Sequence, residues 1–471
     1  MILKFNLLKY KTRYLQNVFS VWITIFVIVC PVFTKAYVSI DVGKAYIRES
    51  QMAIQPLVLS GPSSQPALEA GATIFTIIKD NLSSSSYFKL IEQEAFLEKP
   101  GEKKLEPYPE DPDGFIWKNW QLLKADYLVL SRYSFEENTI HLHLYLYHVP
   151  LKRKVFQKKY IADQKLVEKL SHKICNDIIA ALTKKPGIFL TKIVAVRTMT
   201  GSKKELFIMN WNGKNKKQIS YHNSTVLSPS WSNDGRYIAY TSFLYRKSKK
   251  RRNASLLLYD RSTKTRQIIS KKEGAHLGSD FLPGGKHILL SLFLGRGYMD
   301  IAKMSLKDGS IKAITFGPNR SINVEPVAHP KGKNILFSSD RGGKIMIYSM
   351  DMNGKNIRPV TWHGSYNSTP DYSPDGKEVV FSGFSNGRFD IFIMSPDGSN
   401  LRRLTSFQKP NGKWANNESP SFAPDGRHIV FTSNRTGQNQ LYIMNLLNFR
   451  TTRITTDIHN YKSPKWSPLL K

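Results

Sequence analysis

The sequence predicts an α/β N-terminal domain followed by an all-β six-bladed β-propeller. Three observations carry that expectation. A basic, then apolar, leader occupies residues 1–36; residues 37–185 mix helical and alternating periodicities; and from about residue 226 one turn-plus-strand pattern recurs, its turn glycines 50, 47, 44 and 50 residues apart. With 471 residues, 41% hydrophobic and 22% charged, the composition is that of a globular chain, which excludes a fully disordered, collagen-like or multi-span membrane protein.

The leader reads as a signal peptide. Met1–Asn17 carries Lys4, Lys9, Lys11 and Arg13 and no acid, Val18–Phe33 is almost wholly apolar, and Thr34-Lys35-Ala36 is a small-x-small cleavage end. An uncleaved anchor is the alternative, although the apolar run is shorter than the roughly 20 residues a spanning helix needs. Both place the remainder outside the cytoplasm. Cys30 is not read as a lipidation site, because Val29 precedes it where a small residue belongs. Cleavage removes five bases and no acid, lowering the formal charge from +33 to +28. It also leaves Cys175 alone, so neither a disulfide framework nor a multi-cysteine metal site is available.

In residues 37–185, strands are expected at Val38–Val42, Leu57–Ser60, Phe88–Ile91, Tyr127–Leu130, Ile140–Val149 and Val155–Tyr160. A helix is expected from about Ala67 to Asn81, with Ile74, Phe75, Ile77, Ile78 and Leu82 inward, and a short one at Trp117–Leu123. A last helix runs from an Asp163 cap to about Thr183 and ends at the linker Lys184-Lys-Pro-Gly187.

The propeller is expected over residues 188–471. Its pattern is plain in Ser228-Pro-Ser-Trp-Ser-Asn-Asp-Gly235, Thr369-Pro-Asp-Tyr-Ser-Pro-Asp-Gly376 and Ser419-Pro-Ser-Phe-Ala-Pro-Asp-Gly426, recurs in Glu325-Pro-Val-Ala-His-Pro-Lys-Gly332, and is worn in Asp280–Gly285. In Ser373-Pro374-Asp375-Gly376, Pro presets the turn, Asp caps it and Gly takes the left-handed position. Four short strands follow one another in each period, which is one blade. Residues 192–220 supply three strands without the opening element, and Ser463–Pro468 supplies that element without a blade. Their pairing makes a sixth, split blade and removes the open sheet edges.

Several motifs that invite an enzyme reading are absorbed by the repeat. Gly383-Phe-Ser385-Asn-Gly387 fits G-x-S-x-G, but a nucleophile elbow needs a strand-to-helix turn with an acid and a His following. Here it falls between two blade strands. His141 and His143 share a strand face with Tyr145 and Tyr147, a polar sheet face rather than a metal pair. The Asp-Gly pairs are hairpin turns and lack an EF-hand loop. Arg246-Lys-Ser-Lys-Lys-Arg-Arg252 places six bases in seven residues and is expected as an exposed loop that attracts polyanions such as acidic lipid or cell-wall polymer; a nuclear-localisation reading conflicts with the leader.

Ala125-Asp-Tyr-Leu-Val-Leu130, His172-Lys-Ile-Cys-Asn-Asp177, the junction Leu182–Ile193 and the Ser-Pro-x-Trp/Phe-Ser-Pro-Asp-Gly repeat together resemble the TolB family, the periplasmic components of Tol–Pal systems. Departures from the family pattern are the acidic insertion Glu92–Asp113, the basic segment 246–252, the worn turn 280–285 and the net charge. The resemblance implies a non-enzymatic periplasmic scaffold, a monomer without cofactor, metal or specific nucleic-acid partner. It implies that a Pal-like peptidoglycan-associated lipoprotein binds at the propeller mouth and a TolA-like inner-membrane protein at the mature N-terminus, Tyr37, Val38, Ser39, Ile40, Asp41 and Val42. The mouth residues expected to meet the partner are His222, Asn223, His276, Asn323, Glu325, Tyr366, Asn367, Asn417, Glu418 and Tyr461. The alternatives are a basic propeller that binds a polyanion (nucleic acid, acidic lipid or cell-wall polymer), with the 246–252 segment as a peripheral outer-membrane or cell-wall contact, and a propeller-associated hydrolase.

Overall fold

The computed structural model describes residues 49–85, 87–246, 251–270, 276–293, 298–317 and 321–470. The leader and the Val38–Val42 strand expected from the sequence lie outside these residues. Among the described residues no helix is long and apolar enough to cross a membrane.

The N-terminal domain is a mixed sheet with two helices on one face. Its strands are β1 (Ser50–Ile54), β2 (Val58–Leu59), β3 (Phe88–Leu90), β4 (Lys104–Pro107), β5 (Gly114–Phe115), β6 (Tyr127–Glu136), β7 (Thr139–His148) and β8 (Arg153–Asp163). The main sheet runs β3-β1-β6-β7-β8, with β2 also on β6, and β4 pairs β5 apart from it. The pairs β1–β3 and β1–β6 are parallel, while β6, β7 and β8 form an antiparallel meander. Helix α1 (Gln65–Ser84) begins where Ser64 Oγ accepts the Ala67 N–H, with Pro66 in the first turn. Its Ile74, Ile78 and Leu82 are buried, whereas Phe75 and Ile77 are only half-buried. Helix α2 is Trp117–Leu122, and α3 (Val167–Thr183) follows a 3₁₀ turn in which Asp163 Oδ1 accepts the Lys165 N–H at 2.8 Å. Ile74, Ile78, Ile174 and Ile178 of α1 and α3 share one apolar core with Leu142, Leu144 and Leu146 of β7.

The acidic insertion packs on the other sheet face, where Phe96 and Leu105 lie against its apolar cluster. Glu98 is 3% exposed and accepts from Ile116 N (2.8 Å), Asn119 Nδ2 (2.8 Å) and Trp120 Nε1 (3.0 Å). One carboxylate thus anchors the lid that Phe115 and Trp120 make over Leu128, Leu130 and Tyr147.

Six four-stranded sheets make up the propeller. The first blade takes β9 (Lys192–Thr198), β10 (Lys204–Asn210) and β11 (Lys217–Gln218) from one end of the domain and its innermost strand, Tyr461–Trp466, from the other, antiparallel to β9. The other innermost strands are Val226–Trp231, His276–Phe281, Asn323–Ala328, Tyr366–Tyr372 and Asn417–Phe422. Each of the six contains a register shift. At the shift stand Ser228, Gly278, Glu325, Thr369, Ser419 and Ser463, all with φ between +48° and +70°, and in five blades Pro follows. A left-handed residue is unfavourable for any side chain but Gly. Its repetition at one position per blade marks a bulge that tightens the inner strands around the axis.

Because each blade is an up-and-down meander, its outer-to-inner connection and its second-to-third hairpin emerge on one side of the ring. The remaining turns emerge on the other, and there the N-terminal domain sits. Glu168 of α3 accepts from Asn210 Nδ2 (2.9 Å) and Asn215 Nδ2 (2.6 Å). His428 stands between Asp425 Oδ2 (2.7 Å) and the Ser85 carbonyl (3.2 Å) at the C-terminus of α1, and Arg427 lies over Tyr87.

Trp466 is the closing strand's apolar anchor: it is 5% exposed, and its Nε1 donates to Thr191 Oγ1 at 2.8 Å. Trp466→Ala is expected to lower stability by about 3–5 kcal/mol, the range for large aromatic truncation in a core. Trp466→Phe, which forfeits the hydrogen bond and part of the volume, should lose appreciably less. Urea unfolding followed by far-UV circular dichroism measures both.

Candidate functional site

On the side away from the N-terminal domain, the propeller opens through a mouth built by a repeated latch. The hydroxyls of Ser220, Thr315, Thr361, Thr405 and Thr455 accept the N–H of Leu206, Ile301, Ile347, Ile391 and Leu441 at 2.8–2.9 Å. Three of them donate in turn to an acid on the same third strand: Ser220 to Glu205, Thr315 to Asp300 at 2.9 Å and Thr405 to Asp390 at 2.8 Å. The latch pins the chain to its own blade just before it crosses to the next.

Four of the ten mouth residues named from the sequence are consumed by this latch or packed behind it, and their expected partner-facing role is corrected here. Asn323, Asn367, Asn417 and Tyr461 are 0–3% exposed. Asn323 donates to Asp300 Oδ1 (3.3 Å) and accepts from Ser339 and Arg341; Asn417 donates to Asp390 Oδ1 (3.0 Å) and accepts from Arg435. Asn367 donates to the His363 carbonyl, and Tyr461 to Asp457 Oδ2. Buried polar groups need such partners, so these side chains face into the blades.

The other six are spread between wall and surface. Asn223 is exposed and Tyr366 partly so; Glu418 is half-buried. His222 is half-buried, its Nε2 2.9 Å from Tyr240 Oη, and burial lowers its pKa. Glu325 lies in the channel wall. The backbone of His276 opens its strand, but its side chain lies outside the described residues, as do Tyr37–Val42.

What the mouth presents is a crown of large apolar side chains that the sequence reading passed over. Tyr221 (64% exposed), Phe316, Trp362 (61%), Phe407, Trp414 and Ile458 (81%) all stand on outer-to-inner connections. The pattern was available in the sequence as an aliphatic-Ser/Thr pair followed within three residues by a bulky side chain: Ile219-Ser-Tyr221, Ile314-Thr-Phe316, Val360-Thr-Trp362, Leu404-Thr-Ser-Phe407 and Ile454-Thr-Thr-Asp-Ile458. Arginines stack on several rings: Arg388 over Trp414 at 3.7 Å, Arg266 over Tyr221 at 4.9 Å and Arg435 over Phe407 at 5.0 Å. The hairpin strands that flank the basic segment run toward this same side. The flanking strands pair as far as Arg246 and Arg251, leaving 247–250 outside the described residues. Gly383–Gly387 is likewise a tight hairpin, Ser385 pairing Arg388, and not a nucleophile elbow.

Below the mouth the channel narrows to about 80 Å3, lined by the six bulges. Asp280, Glu325, Asp371 and Lys465 stand here. Lys465 Nζ meets Asp371 Oδ1 at 2.6 Å; burial works against its charge, but the neighbouring carboxylates outweigh that and raise its pKa. The acids also stitch blades together. Asp280 accepts Ala328 N (2.9 Å), Glu325 accepts Thr369 N (2.8 Å), and Asp371 accepts Phe422 N (2.8 Å). Burial raises Glu325 and pushes Asp280 up to about 7, with Lys465 and the Ala328 N–H opposing. Among the described residues no three His, Cys, Asp or Glu side chains are placed to hold a metal ion together. Elsewhere, Cys175 is buried between the helices, its thiol pushed up to about 12 by burial.

A carboxyl raised from roughly 3.9 in the unfolded chain to about 7 in the folded one contributes stability that is complete below pH 4 and lost as pH rises through 7. Asp280→Asn keeps an acceptor for Ala328 and removes that loss. The variant should therefore gain about 2 kcal/mol on the parent chain between pH 4 and pH 8, the channel's water and Lys465 offsetting the rest. Thermal unfolding across this pH range measures it.

Comparison with known proteins agrees with this architecture. Residues 38–155 match the model of the TolB amino-terminal domain, and residues 179–412 and 369–471 match that of the TolB beta propeller domain. The chain is 27% identical over 248 residues to the Tol-Pal system protein TolB of Desulfosudis oleivorans, covering 53% of each protein. It is 30% identical over 247 residues to that of Francisella tularensis subsp. mediasiatica, covering 50% of this chain and 54% of the relative. It thus spans about half the length of the curated relatives it matches. The crystal structure of TolB from Acinetobacter baumannii superposes with a TM-score of 0.75 at 23% identity, over 91% of this chain and 99% of that one, which shows the shared fold. With both of its domains matched, the chain belongs to the TolB family.

Proposed function

We propose that the chain is a periplasmic scaffold of a Tol–Pal system that works by binding rather than catalysis. The crown of exposed aromatic side chains on the free side of the propeller carries this reading. Trp, Tyr and Arg dominate binding hot spots, and a contiguous apolar patch on a soluble protein marks a contact surface. The partner at the mouth is a Pal-like peptidoglycan-associated lipoprotein, whose surface covers Trp362, Tyr221 and Trp414 while His222, Asn223 and Tyr366 supply the polar rim. A TolA-like inner-membrane protein engages Tyr37–Val42 after the leader is cleaved. Together these contacts tether the outer membrane and assist its constriction at division. Occupancy of the mouth and docking of Tyr37–Val42 are coupled, so each partner changes the affinity for the other.

A second reading rests on the sequence of residues 246–252, where six bases in seven residues would attract a polyanion. The two readings differ in salt response. Binding governed by phosphate contacts falls steeply with log salt, whereas a contact anchored by aromatic burial does not.

Calorimetric titration of chain 37–471 with the Pal-like lipoprotein encoded in the same genome, at two salt concentrations, separates them. Saturable 1:1 binding that survives the higher salt is expected. Trp362→Ala with Tyr221→Ala should weaken it at least about tenfold, equivalent to about 1.4 kcal/mol, while deletion of 37–42 should alter the affinity measurably. Loss of binding at high salt, with no effect of the aromatic variants, would move the function to the basic segment.

A further inference from the structure

We propose that the cleft between the N-terminal domain and the propeller binds a small oxyanion, a phosphate or a short carboxylate. The cleft lies on the opposite side of the ring from the mouth and encloses about 190 Å3. That is room for several waters at roughly 30 Å3 each, or for one phosphate-sized ion.

The wall of the cleft includes a buried residue with an unmatched donor. Trp211, 3% exposed, lines it, and its Nε1 is a buried N–H with no hydrogen-bond partner. Such a donor carries a desolvation penalty that an acceptor oxygen would relieve. The blades themselves show that the indole is not part of the repeat. Trp211 lies in the turn Asn210–Gly213, and the sister turns ending at Gly354 and Gly398 have Met352 and Pro396 at its position. Here the chain has instead a large aromatic, set edge-on against Phe189 at 5.2 Å.

Charge decides the class of ligand. The rim carries Lys214, Arg450 and Arg453 against a single acid, Asp80. Lys214 is 3.9 Å from Asp80, whereas among the described residues no carboxylate lies within ion-pair distance of either arginine. One edge of Arg453 is used, its Nε donating to the Thr455 carbonyl at 2.6 Å; Arg450 is exposed. Two guanidinium groups without carboxylate partners beside a single cavity, with the unmatched indole N–H buried in the wall residue Trp211, suit an anion with several acceptor oxygens, because a guanidinium binds phosphate and carboxylate through paired hydrogen bonds. A cation would meet two guanidinium groups and Lys214 against the single carboxylate of Asp80.

The test is calorimetric titration of the chain, at fixed ionic strength, with inorganic phosphate and separately with succinate. Saturable binding of at least one ion, at one site per chain, is expected, and the preferred ion identifies the head group. Arg450→Gln with Arg453→Gln should weaken it at least tenfold. Trp211→Phe, which keeps a ring against Phe189 and deletes the donor, should weaken it about threefold or more. Lys344→Gln, on the mouth side, should leave it unchanged. Arg450→Gln alone, at an exposed side chain, carries the comparison should the Arg453 change disturb its blade. Failure of both ions to saturate would overturn the proposal, and so would equal binding by the arginine variants, an adventitious ion only.

Discussion

The antiparallel pairing of Tyr461–Trp466 with Lys192–Thr198 is the constraint on which the propeller rests. Without it the array of sheets would end in two open edges, each a row of unpaired backbone groups. With it the ring is continuous, and the seam is tied at several points. Ser467 N donates to the Lys192 carbonyl at 2.8 Å, and Lys192 N donates back to Ser467 Oγ at 2.9 Å. Trp466 reaches Thr191, four residues beyond the interdomain linker, so closing the ring also fixes where the N-terminal domain leaves it. The same strand touches both neighbours: its Lys465 carbonyl accepts Trp231 Nε1 at 3.0 Å, and Trp466 N donates to Ser421 Oγ at 3.2 Å.

From closure follows the chemistry of the lumen. Six inner strands that converge on one axis can approach only if each bulges, and the left-handed residue at each bulge places its neighbours around the lumen. The positions two residues on become a ring of six: Ser230, Asp280, Val327, Asp371, Ser421 and Lys465. Lys465 comes from the closing strand, so the base that faces the channel acids arrives only when the ring is complete. Those acids are held in part by backbone N–H groups of the following blade, which lets the channel keep carboxylates in its wall.

Much of this was legible in the sequence because it is local. Pro-Asp-Gly turns, alternating strands and a missing opening element are statements about neighbouring residues, and they fix blade number and closure. Less legible was what depends on distant partners. Asn323 and Asn417 look like exposed turn residues until Asp300 and Asp390, more than twenty positions earlier, are seen to take their amides. Strand β1 was not expected at all. Its Ser50–Ile54 segment is short, and its place between β3 and β6 comes from parallel pairings that leave no mark in five residues. Helix α1 was seen with too broad an apolar face, since Phe75 and Ile77 lie at its border and end half-exposed.

Repetition gives the chain its own internal control, and the departures from it are informative by position. The worn first turn of the third blade accompanies Gly278 in place of a bulge followed by Pro, and its next inner residue is the channel acid Asp280. Lys465 breaks the inner ring of small, acidic or apolar residues at the seam. Trp211 breaks its sister positions where a blade meets the N-terminal domain rather than solvent, and the sixth blade's crown residue is aliphatic Ile458 where aromatic rings stand on the other described connections that carry one. A repeat that only had to stack would drift everywhere alike. Here the drift concentrates where a blade touches something other than another blade, which is where binding surfaces must be built, because the stacking contacts between blades are already committed to holding the ring.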